Sequence, residues 1–66
     1  MNFAKRLKDL REEQGLSQMG LAKATGISQS SIARWELEKA DPTASALITL
    51  AVFFGESVDY LLGLCD

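Results

Sequence analysis

Several polar residues in the middle of the chain carry hydrogen-bonding groups suited to recognising a partner. Gln29 has an amide that donates and accepts, Ser30 adds a hydroxyl, and Arg34 follows about one helical turn later. An amide can pair with adenine and a guanidinium with the O6 and N7 atoms of guanine, so these residues suit the edges of base pairs. The chain has no histidine, no glycine-rich phosphate loop and no carboxylate pair in an evident cleft. We therefore expect a binding protein without catalytic residues, metal or cofactor, and not an enzyme.

The charge is divided unevenly along the chain. The net charge is −2, but residues 1–34 carry six cationic and three anionic side chains. Residues 35–66 carry one cationic and six anionic side chains. An anionic partner would therefore approach the first half of the chain.

Length and cysteine content limit the kind of protein this can be. The 66 residues predict one domain, over residues 1–66, which is short enough to be marginally stable alone. The single cysteine, Cys65, cannot form an intramolecular disulfide, which indicates a reducing, cytoplasmic setting. The longest apolar run, residues 50–54, is too short to cross a bilayer, which needs about 20 residues. We therefore expect no membrane association.

The polar residues Gln29, Ser30 and Arg34 must be positioned by short helices. Apolar residues repeat at helical spacing, as in Phe3, Leu7 and Leu10, and no segment alternates like a strand. Glycines follow the segment ends, and serine or threonine precedes most of the starts. Helices are predicted over about residues 2–14, 18–25, 29–38, 44–54 and 58–62. The fold class is therefore expected to be all-α, a compact five-helix bundle.

The second and third predicted helices form the central unit. They are separated by a turn of about three residues, so they must cross steeply. Such a crossing needs a small residue at the contact, supplied by Ala22, and a turn residue that accepts a positive φ, supplied by Gly26. Four apolar residues would seal the pair against the core: Leu21, Ile27, Ile32 and Trp35. This unit is a predicted helix-turn-helix.

A pattern extending over nearly the whole chain resembles the Xre/Cro family of phage-repressor-type helix-turn-helix domains, which share the lambda-repressor-like fold. The residues that carry the resemblance are Arg6-Leu7, Leu10-Arg11, Gly15-Leu16-Ser17-Gln18, Leu21-Ala22-Lys23, Gly26-Ile27-Ser28, Ile32, Arg34-Trp35-Glu36, Pro42 and residues 54–63. Their order and spacing both follow the family pattern. The resemblance implies that the helix after Gly26 enters the major groove of double-stranded DNA.

The resemblance also implies a role for individual residues. Base contacts would come from Gln29, Ser30 and Arg34. Phosphate contacts would come from Ser17, Gln18, Ser31 and Lys39, with Gln18 also bracing Gln29. The palindromic operators of the family imply a sequence-specific transcriptional regulator, expected to be a repressor that binds as a homodimer.

Some of these residues have other interpretations. Gln29, Ser30 and Ser31 could be ordinary polar surface, and Arg34 could contact a phosphate instead of a base. Arg11 could be solvated, or could pair with Glu36 as the resemblance implies.

The chain departs from the family pattern after Glu36. The family usually carries Asn-Gly-Lys and further basic residues there, whereas residues 37–41 are Leu-Glu-Lys-Ala-Asp. Without the glycine, the third helix would run on or end with strain. The acidic residues Glu38 and Asp41 predict weaker non-specific affinity and a shallower salt dependence.

The C-terminal half leaves two further questions open. Val52, Phe53, Tyr60 and Leu64 could form an apolar dimer contact, although Phe53 could instead pack beneath the last helix. The acidic second half also allows another function, a protein-protein interaction module (an adaptor or antirepressor) without specific DNA recognition. The chain could equally be the DNA-binding part of a longer regulator.

Overall fold

The computed structural model describes residues 2–64, which form five α-helices and, within that range, no strand. The helices are α1 (Phe3–Glu13), α2 (Gln18–Thr25), α3 (Gln29–Glu36), α4 (Ala44–Phe54) and α5 (Val58–Leu62). This confirms the predicted all-α five-helix fold. Cys65, on which the expectation of a reducing setting rests, lies outside the described residues. No helix in the described range is both long and apolar enough to span a bilayer.

Four helices begin at a hydroxyl side chain. Each hydroxyl accepts a hydrogen bond of 2.9–3.2 Å from the backbone N–H three residues later. The capping residues are Ser17, Ser28, Thr43 and Ser57. Since such a cap satisfies a backbone donor that the helix leaves free, these starts are determined by the local sequence.

The end of α3 differs from the prediction. The helix was expected to continue to residue 38, but it ends at Glu36 and Glu38 adopts a φ of 60°. The N–H of Glu38 bonds to the carbonyl of Trp35 (3.0 Å) and that of Lys39 to the carbonyl of Arg34 (2.8 Å), which is a Schellman arrangement. The other positive-φ residues in the described range are glycines. An L side chain is unfavourable in this conformation. The third helix therefore ends with strain, which is one of the two alternatives that the missing glycine predicts.

The core lies where all five helices meet. Its buried apolar side chains are Phe3, Leu7, Leu21, Ile32, Trp35, Leu50 and Leu61. The rings of Phe3 and Trp35 pack edge to face with their centroids 5.9 Å apart, which joins the start of α1 to the end of α3. Since Ile32 and Trp35 are both buried, the core fixes the rotation of α3 about its own axis.

The two ends of the described chain lie against each other. The N–H of Asn2 donates to the carbonyl of Leu62 at 3.3 Å. A Cβ atom on Gly63 would lie 2.6 Å from that of Asn2, a separation that real Cβ atoms do not reach. Glycine at position 63 therefore permits the close approach of α1 to α5.

Candidate nucleic-acid interface

The turn between α2 and α3 sets the relative position of the two helices. Gly26 ends α2 with a φ of 78°, and its N–H bonds to the carbonyl of Ala22 at 2.8 Å. The Thr25 hydroxyl donates to the carbonyl of Leu21 (2.8 Å) and accepts from the N–H of Ile27 (3.3 Å). These bonds hold the three-residue turn that the sequence predicts.

The outer face of α3 carries the predicted base-contacting residues. Gln29, Ser30 and Arg34 are exposed, whereas Ile32 and Trp35 are buried on the other side of the helix. Ser30 and Arg34 are four residues apart, so they lie on the same face. Within the described range, the side chains of Gln29 and Arg34 form no hydrogen bond with other protein groups. Their donors and acceptors are therefore available to a ligand.

The predicted phosphate-contacting residues lie at three positions around this face. Ser17 and Gln18 are at the start of α2, Ser31 is in the first turn of α3, and Lys39 is exposed beyond the end of α3. The Ser17 hydroxyl accepts from the N–H of Gly20 at 2.9 Å, which leaves its own proton for an external acceptor. The Ser31 hydroxyl accepts from that of Ser28 at 2.8 Å and likewise keeps its proton. Both hydroxyls can therefore donate to a phosphate at a helix N-terminus.

A hydrogen-bond network beneath this surface corrects one expectation. The Gln18 amide donates to Glu36 Oε1 at 3.1 Å, so Gln18 is held by Glu36, and its expected bracing of Gln29 is not observed. The amide nitrogen keeps a second proton for a phosphate. The two residues are 18 positions apart, so local sequence patterns do not predict this contact.

The same carboxylate pairs with Arg11, which confirms the ion-pair alternative. The Arg11 Nε donates to Glu36 Oε2 at 2.8 Å and Nη2 to Oε1 at 3.0 Å, while Nη1 donates to the carbonyl of Leu16 at 2.8 Å. The hydrogen bond with Glu36 raises the pKa of the buried Arg11, so the guanidinium remains charged. The network thus joins α1, α2 and α3 at one carboxylate.

The four residues of the predicted dimer contact differ in their exposure. Val52 and Leu64 are 79% and 70% exposed. Phe53 is partly buried against the core and packs edge to face on Phe54, with centroids 5.1 Å apart. Tyr60 is half-buried, and the Arg6 guanidinium lies 4.1 Å from its ring centroid.

Two further surface features bear on the site. Ile48 is exposed one turn before Val52 on α4, so it extends the apolar surface of α4. It was not among the predicted residues, although its four-residue spacing from Val52 was a signal. No group of three or more Cys, Asp or Glu residues in the described part of the chain is placed to hold a metal ion.

The chain is similar to known regulators over nearly its full length. A helix-turn-helix family model, HTH_3, matches residues 7–61. The uncharacterized HTH-type transcriptional regulator YobD of Bacillus subtilis is 39% identical over 64 residues, which are 97% of this chain and 57% of YobD. The HTH-type transcriptional regulator ImmR of the same organism is 33% identical over 63 residues, 96% of this chain and 50% of ImmR. The chain therefore spans about half the length of these curated relatives.

A solved structure gives the same result. The crystal structure of an HTH_3 family transcriptional regulator from Vibrio cholerae matches with a TM-score of 0.82 and 28% identity, over 96% of this chain and 35% of that chain. These similarities confirm the resemblance to the Xre/Cro domains. The chain belongs to the HTH_3 family of helix-turn-helix transcriptional regulators.

Proposed function

We propose that the chain binds double-stranded DNA sequence-specifically by inserting α3 into the major groove. The observation that supports this most strongly is the exposure of Gln29, Ser30 and Arg34 on a helix whose opposite face is buried in the core. A helix held in this way presents its side chains in a fixed geometry. Gln29 would pair with adenine and Arg34 with guanine, each contributing roughly 1–3 kcal/mol of discrimination, and Ser30 would add a contact to either base.

In this proposal, phosphate contacts set the register of α3 on the duplex. Ser17 and Ser31 would donate their hydroxyl protons at the starts of α2 and α3, and Lys39 would contribute a charge beyond the end of α3. Gln18 would donate the amide proton that Glu36 does not use. Because these groups meet phosphate on any sequence, they would add affinity without specificity.

We further propose that the chain acts as a repressor and binds a palindromic operator as a homodimer. The exposed apolar side chains of Val52 and Leu64 support a contact between two copies, in which the partly buried Phe53 and Tyr60 would also take part. A two-fold axis through this contact would space two α3 helices about 34 Å apart, which is one turn of the duplex.

Selection of duplexes from a random library at near-physiological salt, followed by sequencing, tests the sequence recognition and the dimer. An enriched palindrome with half-sites about ten base pairs apart is the expected result. A single enriched half-site would retain DNA recognition but contradict the dimer. No enrichment would contradict sequence-specific binding.

A further inference from the structure

A small pocket separates the start of α1 from the segment that follows α3. Phe3 and Trp35 form part of its wall, and Glu38, Asp41 and Pro42 come from the segment between α3 and α4. Its volume is about 240 Å³. Small-molecule sites typically enclose about 300–1,000 Å³, so this pocket suits a single side chain better than a metabolite. None of the residues proposed above to contact DNA lines it.

Trp35 lines this pocket, and its indole carries an uncommitted hydrogen-bond donor. The side chain is only 6% exposed, and its indole N–H donates to no group in the described part of the chain. No buried side-chain nitrogen or oxygen in that part lacks a partner, so the indole nitrogen must belong to the small accessible area of the ring. This accessible N–H can donate to a ligand that supplies an acceptor.

Two carboxylates complete the pocket. Glu38 and Asp41 are exposed, and neither forms a salt bridge with another described residue. Glu38 also holds its backbone at a φ of 60°, a conformation that the chain otherwise gives to glycine within residues 2–64. Such strain often marks residues whose side chains have a function beyond folding. A glutamate at this position keeps a negative charge at the pocket at a cost in backbone energy.

We propose that this pocket binds one arginine side chain of a partner protein. A guanidinium is planar, pairs with carboxylates through its fork of N–H groups and packs on aromatic rings, so Glu38, Asp41 and the ring edges suit it. The indole N–H of Trp35 would donate to the backbone carbonyl of the same arginine. The negative charge of residues 35–66 favours the approach of a basic segment. This inference does not depend on DNA binding.

The chain's single tryptophan makes the proposal directly measurable, because one indole N–H signal reports on the pocket in a proton–nitrogen NMR spectrum. The probe is N-acetyl-arginine N-methylamide, which carries the side chain and a backbone carbonyl. A saturable shift of the indole signal is expected. Glu38→Gln and Asp41→Asn should each weaken binding about threefold, and the double variant about tenfold.

Glu13→Gln is the matched control, since Glu13 is exposed on α1 and does not line the pocket. It should leave the affinity for the probe unchanged. The neutral citrulline analogue should not bind, and the lysine analogue should bind more weakly than arginine. The proposal is overturned if the wild-type signal does not saturate. It is also overturned if citrulline or lysine binds as well as arginine, or if folded Glu38 and Asp41 variants keep full affinity.

Discussion

The guanidinium of Arg11 on α1 forms two hydrogen bonds, of 2.8 and 3.0 Å, with the carboxylate of Glu36 at the end of α3. The side chains of the pair are only 10% and 6% exposed. Gln18 at the start of α2 donates to the same carboxylate. One glutamate therefore links the helix that would enter the groove to the two helices that support it.

Removing this carboxylate should strongly destabilise the fold. Glu36→Gln leaves the Arg11 charge buried without its partner, and breaking a buried ion pair in this way costs about 3–5 kcal/mol. Urea unfolding followed by circular dichroism measures the loss. Asp9→Asn is the control because it removes the exposed Lys5–Asp9 pair, which should be worth less than about 1 kcal/mol. Equal losses from both variants would contradict the proposed importance of the buried pair.

Glycine at position 38 should stabilise the protein. Glu38 occupies the left-handed region with a φ of 60°, which is unfavourable for an L residue by roughly 1–2 kcal/mol. Part of that gain is offset because glycine loses more backbone entropy on folding, so an increase of about 1 kcal/mol is expected for Glu38→Gly. Glu38→Ala removes the carboxylate but keeps the strain, and it should bring no comparable gain in the same urea titration. If Glu38→Ala stabilises the protein as much as Glu38→Gly, the gain comes from removing the negative charge and not from relieving backbone strain.

The sequence predicted the elements whose signals are local. The helix starts at Ser17 and Ser28 follow from hydroxyls that bond to a backbone N–H three residues away, and the turn at Gly26 follows from its freedom in φ. The predicted end of α3 was wrong by two residues. Local helix propensity favours continuation to residue 38, whereas the helix stops at Glu36 and Glu38 adopts a strained conformation. The missing glycine leaves both continuation and a strained end open, and the local sequence does not decide between them.

Gln29 and Gln18 should have different effects on DNA binding. Gln29→Ala should change the preference at one base position, with a loss of about 1–3 kcal/mol on the preferred duplex only. Gln18→Ala should weaken every duplex by a similar factor, because a phosphate contact does not depend on sequence. Fluorescence anisotropy against a set of single-base operator variants separates the two. Uniform losses from both substitutions would remove Gln29 from base recognition.

The candidate site was only partly predictable for a similar reason. The residue types at positions 29, 30 and 34 indicate hydrogen bonding with bases, and helical periodicity correctly places them opposite Ile32 and Trp35. The link from Gln18 to Glu36 depends on how α2 crosses α3, which only the packed structure reveals.

A charge on α4 should separate two copies of the chain without unfolding either one. Val52 is 79% exposed, so Val52→Asp should leave stability nearly unchanged while placing two carboxylates at the proposed two-fold contact. Sedimentation velocity should then show a shift towards the monomer. Leu37→Asp is the control because Leu37 is an exposed apolar residue outside the proposed contact. If Val52→Asp leaves the association unchanged, the dimer does not use this face of α4.

The contact between Asn2 and Leu62 has a consequence for the order in which the molecule opens. It is a single bond of 3.3 Å at an exposed residue, whereas Ile32 in the helix-turn-helix unit is fully buried. We expect α1 and α5 to separate first in native-state fluctuations, with faster hydrogen exchange at the Asn2 amide than at that of Ile32. The helix-turn-helix unit would then keep its protection the longest.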